Sequence, residues 1–260
     1  MNKSKSVSLV IIDTDEIVLA RRAVERSIQL FPVEEVLIFS DQPSQWGGFP
    51  VVEIKKITSM ADYNRVLLTE LPQRLKTDFA LIIQFDGFVV NPSSFTNFFY
   101  EFDYIGAPWP AGLIPDRGPL VGNGGFSLRS KKLIQTLANY FPAIMIDVPE
   151  DVMICRYLRP ILEEREGISF APVEVARHFS IELETLRGYR PFGFHGLHLL
   201  PEIYKDDYKF LIENLPVRCF QDGTYQLQNL KNGFSSLGAE AQQLFFNRSI
   251  EVNATVAKGL

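Results

Sequence analysis

The chain alternates short, nearly unbroken apolar runs with longer stretches in which apolar residues recur every three or four positions. Val7 to Ile12 is such a run, closed by Asp13. It reads as a strand buried on both faces. Thr14 or Asp15 can cap a helix after it. Ile17, Ala20, Val24, Ile28 and Phe31 then recur at helical spacing until Pro32, with Arg21, Arg22, Glu25 and Arg26 on the solvated side. Glu35 to Asp41 reads as a second strand, and this βαβ rhythm predicts a largely parallel sheet. A Gly/Pro-containing loop from Gln42 to Pro50 leads to a short third strand at Val51 to Ile54 and a helix over Ala61 to Leu75. The strongest strand signal is Asp78 to Val90, where Gln84 and Asp86 interrupt an apolar run just before Gly87. Polar side chains at the end of a buried strand are costly unless paired or functional.

The second half is less regular. Tyr104 to Leu120 holds four prolines and three glycines, and long irregular loops in compact domains are often functional. A glycine-rich stretch, Val121 to Arg129, precedes a helix with Leu133, Ile134, Leu137, Ala138 and Phe141 on one face. Pro149 opens another helix with Glu150 and Asp151 in its first turn, where the helix dipole favours acids. After Pro191-Phe-Gly-Phe-His-Gly196 the tail is mixed and partly helical. The expected class is α/β: one Rossmann-like domain over residues 1–200, its mostly parallel sheet flanked by helices. A helical or irregular C-terminal extension, 201–260, is expected to pack on it.

Composition narrows the functions. Of 260 residues, 46% are apolar and 22% charged, which excludes a disordered chain and a disulfide scaffold. Twenty-six basic against 31 acidic residues give a net charge of −5, without the broad basic field that nucleic acid requires. Cys155 and Cys219 are the only cysteines and read as reduced thiols. The N-terminal apolar run is too short for a signal-peptide core, and no stretch nears the roughly 18 apolar residues of a membrane span. The cytoplasm, including the inner face of the membrane, is the expected location.

Several residues could carry chemistry. Asp86 at a strand end beside Gly87 is either a ligand for a divalent cation with its phosphate, or part of an Asp-Gly turn. Gly122-Asn-Gly-Gly125 lacks both the dinucleotide fingerprint and the P-loop lysine; it allows close ligand approach or simply makes a tight turn. Glu150 and Asp151 either cap their helix or line a pocket in which one carboxylate takes a proton from an attacking hydroxyl. His195, in a loop-like segment, is a candidate metal ligand or a structural histidine. Trp109 can stack on a sugar ring or pack in the core. No Gly-x-Ser-x-Gly elbow and no His-Glu-x-x-His motif is present, which removes support for serine hydrolase and zinc protease chemistry.

Taken in order, the N-terminal βαβ, Thr77-Asp-Phe-Ala-Leu-Ile-Ile-Gln-Phe-Asp-Gly87, Tyr104-Ile-Gly-Ala-Pro-Trp109, Val121-Gly-Asn-Gly-Gly-Phe-Ser-Leu-Arg-Ser130, Pro149-Glu-Asp151 and Phe192-Gly-Phe-His195 resemble an uncharacterised bacterial and fungal domain family. That family is related to nucleotide-sugar glycosyltransferases of the A-type (GT-A) fold, and the resemblance covers about residues 7–200. It implies transfer of a sugar from a nucleoside-diphosphate sugar, a UDP-sugar first, to a hydroxyl of a glycan or other acceptor, with inversion. It also implies Mn²⁺ or Mg²⁺ as cofactor. By this resemblance Gln84-Phe85-Asp86 stands where relatives carry Asp-x-Asp, with Gln84 replacing the first Asp. Asp86 and His195 would hold the metal. Gln84, Asp86, Gly87, Gly124 and Gly125 would line the donor site, and Trp109 and Asn123 the acceptor side. Asp151 would be the catalytic base and Glu150 would help hold the acceptor. A non-catalytic carbohydrate- or nucleotide-binding protein, and a metal-dependent hydrolase, are the competing readings.

Overall fold

The computed structural model describes residues 5–109, 121–141, 143, 147–183, 188, 190–221 and 224–257. The irregular loop expected over 104–120 therefore falls largely outside the described residues. In chain order the elements are β1 (Val7–Ile12), α1 (Ile17–Leu30), β2 (Glu35–Ser40), β3 (Val51–Glu53), α2 (Met60–Arg65), α3 (Leu71–Arg74), β4 (Phe79–Ile83), β5 (Tyr104–Ile105), β6 (Ser127–Ser130), α4 (Lys131–Tyr140), α5 (Glu150–Val152), α6 (Arg159–Glu166), α7 (Val173–Phe179), β7 (Ser180–Ile181) and β8 (Gly193–Phe194). Wide π-type turns over Val66–Glu70 join α2 to α3, and similar turns over Met153–Leu158 join α5 to α6.

The chain divides into two compact units, Met1–His195 and Gly196–Leu260. The first is built on a six-stranded sheet of order β3-β2-β1-β4-β6-β5. β1 pairs in parallel with β2 and β4, and β2 with β3. β6 runs antiparallel to both β4 and β5. It is thus the one reversed strand, and the sheet is mostly parallel with helices against it. A small second ladder pairs β7 with β8 in parallel.

Strand residues alternate between faces, so the apolar runs of β1 and β4 supply two buried layers. Val10, Ile12, Phe39, Ala80 and Ile82 pack with Val66, Leu67, Leu71, Leu75 and Ile134. The intervening Leu9, Ile11, Leu81 and Ile83 are equally buried, and α1 meets β1 through a stripe that includes Ala20, Ala23 and Val24. The α4 helix starts cleanly because the Ser130 hydroxyl accepts the Leu133 N–H at 3.0 Å, a side-chain cap typically worth about 1 kcal/mol.

The strand expected over Asp78 to Val90 is shorter. β4 stops at Ile83 because Gln84 and Gly87 exchange backbone hydrogen bonds at 2.9 and 3.0 Å and reverse the chain. Phe85 and Phe88 stay buried through the reversal, so the apolar pattern continues although the strand does not.

The second unit is helical: α8 (Leu200–Ile203), α9 (Tyr208–Asn214), α10 (Tyr225–Ser236) and α11 (Ala239–Ala257). Its core includes Leu211, Leu227, Leu230, Phe234 and Phe245, with the Phe234 and Phe245 rings stacked at 4.7 Å. Among the described residues no helix is long and apolar enough to cross a membrane. Cys155 and Cys219 are both buried and neither is in a disulfide.

Asp13 closes the β1–α1 turn: its Oδ1 accepts the N–H groups of Asp15 at 2.9 Å and Glu16 at 2.7 Å. Burial outweighs those two bonds and raises its carboxyl from the ordinary 3.8 to about 6. A carboxyl raised in the folded state favours folding when protonated, so its contribution is lost as pH climbs from about 4 through 6. Asp13→Asn keeps an acceptor and removes the charge. It should be more stable than the parent by on the order of 1 kcal/mol near neutral pH, and equal to it below about pH 4. Urea unfolding at the two pH values measures this; a gap that ignores pH would mean that charge burial is not the cause.

Candidate functional site

The site forms where the turn after β4, the glycine turn before β6, the start of α5 and the end of β8 meet. Gln84 and Asp86 come from the first. The tight turn fixes Asp86 two residues past Gln84, and Asp86 is buried. The glycine turn carries Asn123 at φ +60°, the one non-glycine left-handed residue among those described. The Tyr104 hydroxyl donates to the Asn123 carbonyl at 3.1 Å and steadies it there.

His195 is placed by aromatic packing. Phe192 contacts Phe31, Phe95, Phe126 and Phe179 with ring centroids 5.0–5.7 Å apart. Phe194 packs edge-on to Phe88 at 4.9 Å, and the His195 N–H donates to the Ile181 carbonyl at 2.9 Å. The imidazole then meets Gln84 and Asn123. Its Nε2 lies 3.1 Å from Gln84 Oε1 and its Nδ1 2.9 Å from Asn123 Nδ2. Two carboxylates flank the ring, Asp86 Oδ1 at 3.6 Å from Nε2 and Glu182 Oε1 at 3.6 Å from Nδ1. Burial opposes a charged ring, but Asp86 and Glu182 outweigh it and raise its pKa to about 9.

Two glycines make room for this ring. A Cβ on Gly87 would come within 2.9 Å of His195 Cδ2, and one on Gly125 would overlap the imidazole. These positions need glycine for close approach, whatever their φ.

Asp151 reaches the same turn from the other side. Its Oδ2 accepts the Gly124 N–H at 3.1 Å and its Oδ1 the Val152 N–H at 2.8 Å. Burial, then the negative charge of Glu150, raise its carboxyl to about 6 against those bonds and Arg129. A carboxylate at that value is suited to take up a proton near neutral pH.

Glu150 is turned inward. Its Oε1 lies 2.7 Å from Arg129 Nη2, with Arg129 only 2% and Glu150 7% exposed. The resemblance implies a carboxylate on the acceptor; here it is committed to a buried guanidinium. Trp109 is 6% exposed, and a Cβ on Gly122 would fall on its indole ring, so this ring occupies a packing position. Asn123 is 1% exposed and faces His195.

Gln84, Asp86, Gly87, Asn123, Gly124, Gly125, Asp151 and His195 are thus gathered at one place, while Glu150 and Trp109 lie behind it. Two residues were not singled out by the sequence reading. Arg129 sits just after the glycine turn, in β6. Glu182 follows β7, whose register sets Ile181 opposite Phe194 and so sets Glu182 beside His195.

Asp86 offers an oxygen donor and His195, once its ring gives up a proton, a nitrogen donor 3.6 Å away. Among the described residues no group of three or more His, Cys, Asp or Glu side chains is placed to hold a metal ion. Two protein donors fit a Mg²⁺- or Mn²⁺-type ion whose remaining ligands are substrate phosphate and water.

Structural likenesses exist at low identity. The glycosyltransferase involved in glycosylation of the major capsid of PBCV-1 is 11% identical, with a TM-score of 0.47 over 88% of this chain and 98% of that one. The bifunctional IspDF of Campylobacter jejuni is 11% identical, with a TM-score of 0.41 over 66% of this chain; the match spans about half, 51%, of that protein. Glucosyl-3-phosphoglycerate synthase of Mycobacterium tuberculosis, in complex with Mn²⁺, UDP-glucose and phosphoglyceric acid, is 13% identical, with a TM-score of 0.35 over 54% of this chain and 66% of that one. No curated protein matches the sequence. The model of the family described as Protein of unknown function (DUF5672) matches residues 49–195, more than half of the 260, and the chain belongs to that family.

Proposed function

We propose that this chain is a glycosyltransferase that moves a sugar from a nucleoside-diphosphate sugar to an acceptor hydroxyl, with inversion and with Asp151 as base. One observation carries the reading. The turn Asn123-Gly-Gly125 joins a poised carboxylate, Asp151, to a separate cluster of Gln84, Asp86 and His195. Asp151 accepts the Gly124 N–H, and Asn123 stands 2.9 Å from the imidazole of that cluster. Single-displacement transfer needs this division of labour: one group takes the acceptor's proton, and another set faces the leaving group on the far side of the reacting carbon.

Asp86 and His195 would hold the divalent ion. When bound, such an ion offsets charge developing on a departing diphosphate. Gln84 is uncharged; its Nε2 lies 3.4 Å from the Tyr63 hydroxyl and its Oε1 faces His195. It therefore orients the imidazole and adds no second anion. Gly87 and Gly125 leave the space that the ring occupies. Asp151 accepts the acceptor proton, and its two N–H bonds hold the carboxylate in place while it does so. A UDP-sugar is the first donor to test, and a glycan hydroxyl the first acceptor.

Thermal unfolding with a panel of nucleotides and sugar nucleotides, with and without Mn²⁺, tests the donor site. The expected result is a rise of several degrees for one diphosphate, dependent on Mn²⁺ and absent in Asp86→Ala. A rise that ignores both Mn²⁺ and Asp86 would remove the metal from the reading. No rise with any nucleotide would overturn the nucleotide-sugar donor. Product formed without any acceptor would point to hydrolysis.

A further inference from the structure

We infer that Arg129 and Glu150 form a buried positioning pair that ties the Gly124 peptide to the start of α5, so that the Gly124 N–H clasps the Asp151 carboxylate. The inference rests on Asp151 being the proposed base, and it gives Glu150 a place behind that base.

The bonds close a ring. Arg129 Nη2 donates to Glu150 Oε1 at 2.7 Å, and it reaches the Gly124 carbonyl at 3.4 Å. Arg129 Nε donates to Ser127 Oγ at 3.0 Å, and that hydroxyl donates to the same Gly124 carbonyl at 3.1 Å. The other end of the Gly124 residue, its N–H, donates to Asp151 Oδ2. Asp151 is the covalent neighbour of Glu150. One guanidinium therefore holds the turn through the Gly124 carbonyl and holds α5 through Glu150.

The geometry leaves little freedom for this cation. Arg129 stands opposite Tyr104 in the β5–β6 register, with its guanidinium carbon 5.3 Å from that ring's centroid. Burial opposes its charge, but the Glu150 carboxylate beside it holds it in the charged form. A buried arginine of this kind is stable only with its partner in place, because a lone buried charge is far costlier than a pair. Arg129 is 2% and Glu150 7% exposed, so the pair acts chiefly through Asp151.

The electrostatics give the pair a second action on the base. Glu150 pushes the Asp151 carboxyl up and Arg129 pulls it down. Among the described residues Tyr63, Tyr104 and Cys155 also face this place, all held neutral by burial. Glu150 and Arg129 are the charged neighbours that act most on Asp151.

The test is a carboxyl-carbon NMR titration of Asp151 in the full chain, following the Gly124 amide in the same samples. It needs neither donor nor acceptor. In the parent protein the Gly124 amide should titrate with the Asp151 midpoint; an amide that ignores it overturns the inference without any variant. In Glu150→Gln the Asp151 midpoint should fall by about one pH unit, and in Arg129→Gln it should rise by about as much. The double variant, with a neutral pair that avoids a lone buried charge, should return toward the parent value. A packing lesion alone would not give opposite shifts that cancel. A folded Glu150→Gln with an unmoved midpoint, or a double variant that does not return, overturns the pair's role. If the titrations behave as expected but Asp151→Asn still transfers sugar, the base assignment fails and the positioning pair stands.

Discussion

Asp151→Asn is expected to lower sugar transfer by about 10²- to 10⁴-fold, the usual span for losing a general base, while the protein stays folded. The amide oxygen keeps one of the two N–H bonds that the carboxylate accepts from Gly124 and Val152. Losing the other costs about 1 kcal/mol, and removing a charge that burial disfavours offsets part of it. The same carboxyl sets a pH limit. With its pKa raised to about 6, it is ionised and able to accept a proton above that value. The parent rate should therefore decline as pH drops through about 6, and the small residual rate of the variant should lack that step. Transfer measured against pH in both proteins checks the two halves together. Undiminished transfer by the Asn variant would remove Asp151 from the chemistry.

The largest stability effect is expected at Gly124. A Cβ there would overlap the Glu150 carboxylate and stand 2.9 Å from Arg129 Nη2. Neither neighbour can give way easily, since both are buried and bonded to each other. Overpacking costs about 1–3 kcal/mol, and separating a buried ion pair costs more. Gly124→Ala should lose about 3 kcal/mol, or roughly 6–12 °C in melting temperature for a unit of this size. Calorimetry on the full chain reads the change. A variant melting with the parent would mean that α5 moves aside at little cost and that the ion pair is loosely held.

These two sites differ in how far the sequence announces them. β1, β2 and β4 are legible because strands buried on both faces leave apolar runs that need no partner to be recognised. Asp151 and Asp86 stand out as candidates because an acid at a helix start and an acid just past a buried strand are placed where carboxylates can act. Arg129 is not legible in that way. A single cation among glycine, serine and leucine reads as exposed, and its burial follows only when Glu150, 21 residues later, is brought against it. β6 is hard to see for the same reason. Its residues Ser-Leu-Arg-Ser carry no strand periodicity, and it exists because β4 and β5 both pair with it. The end of β4 was hidden by Phe85 and Phe88, which stay buried on either side of a chain reversal. Periodicity registers burial, whereas the reversal is a property of backbone bonding. The wide turns at Val66–Glu70 and Met153–Leu158 are hidden likewise, since an apolar stripe runs through them with little change.

The borders of the six-stranded sheet bear on how the chain behaves in a crowded solution. One border strand, β3, has three residues, and the other, β5, has two. The free side of β5 is already taken. Tyr104 donates its N–H to the Ser169 carbonyl at 3.1 Å, and its own carbonyl accepts the Ala171 N–H at 3.0 Å. A long unpaired ladder invites a strand from another molecule, and short or covered borders deny it a template. The apolar runs of β1 and β4, the segments best suited to cross-β stacking, lie inside those borders. The folded first unit thus keeps its most aggregation-prone segments away from neighbouring copies, and its hazard is confined to the interval before the outer strands have docked.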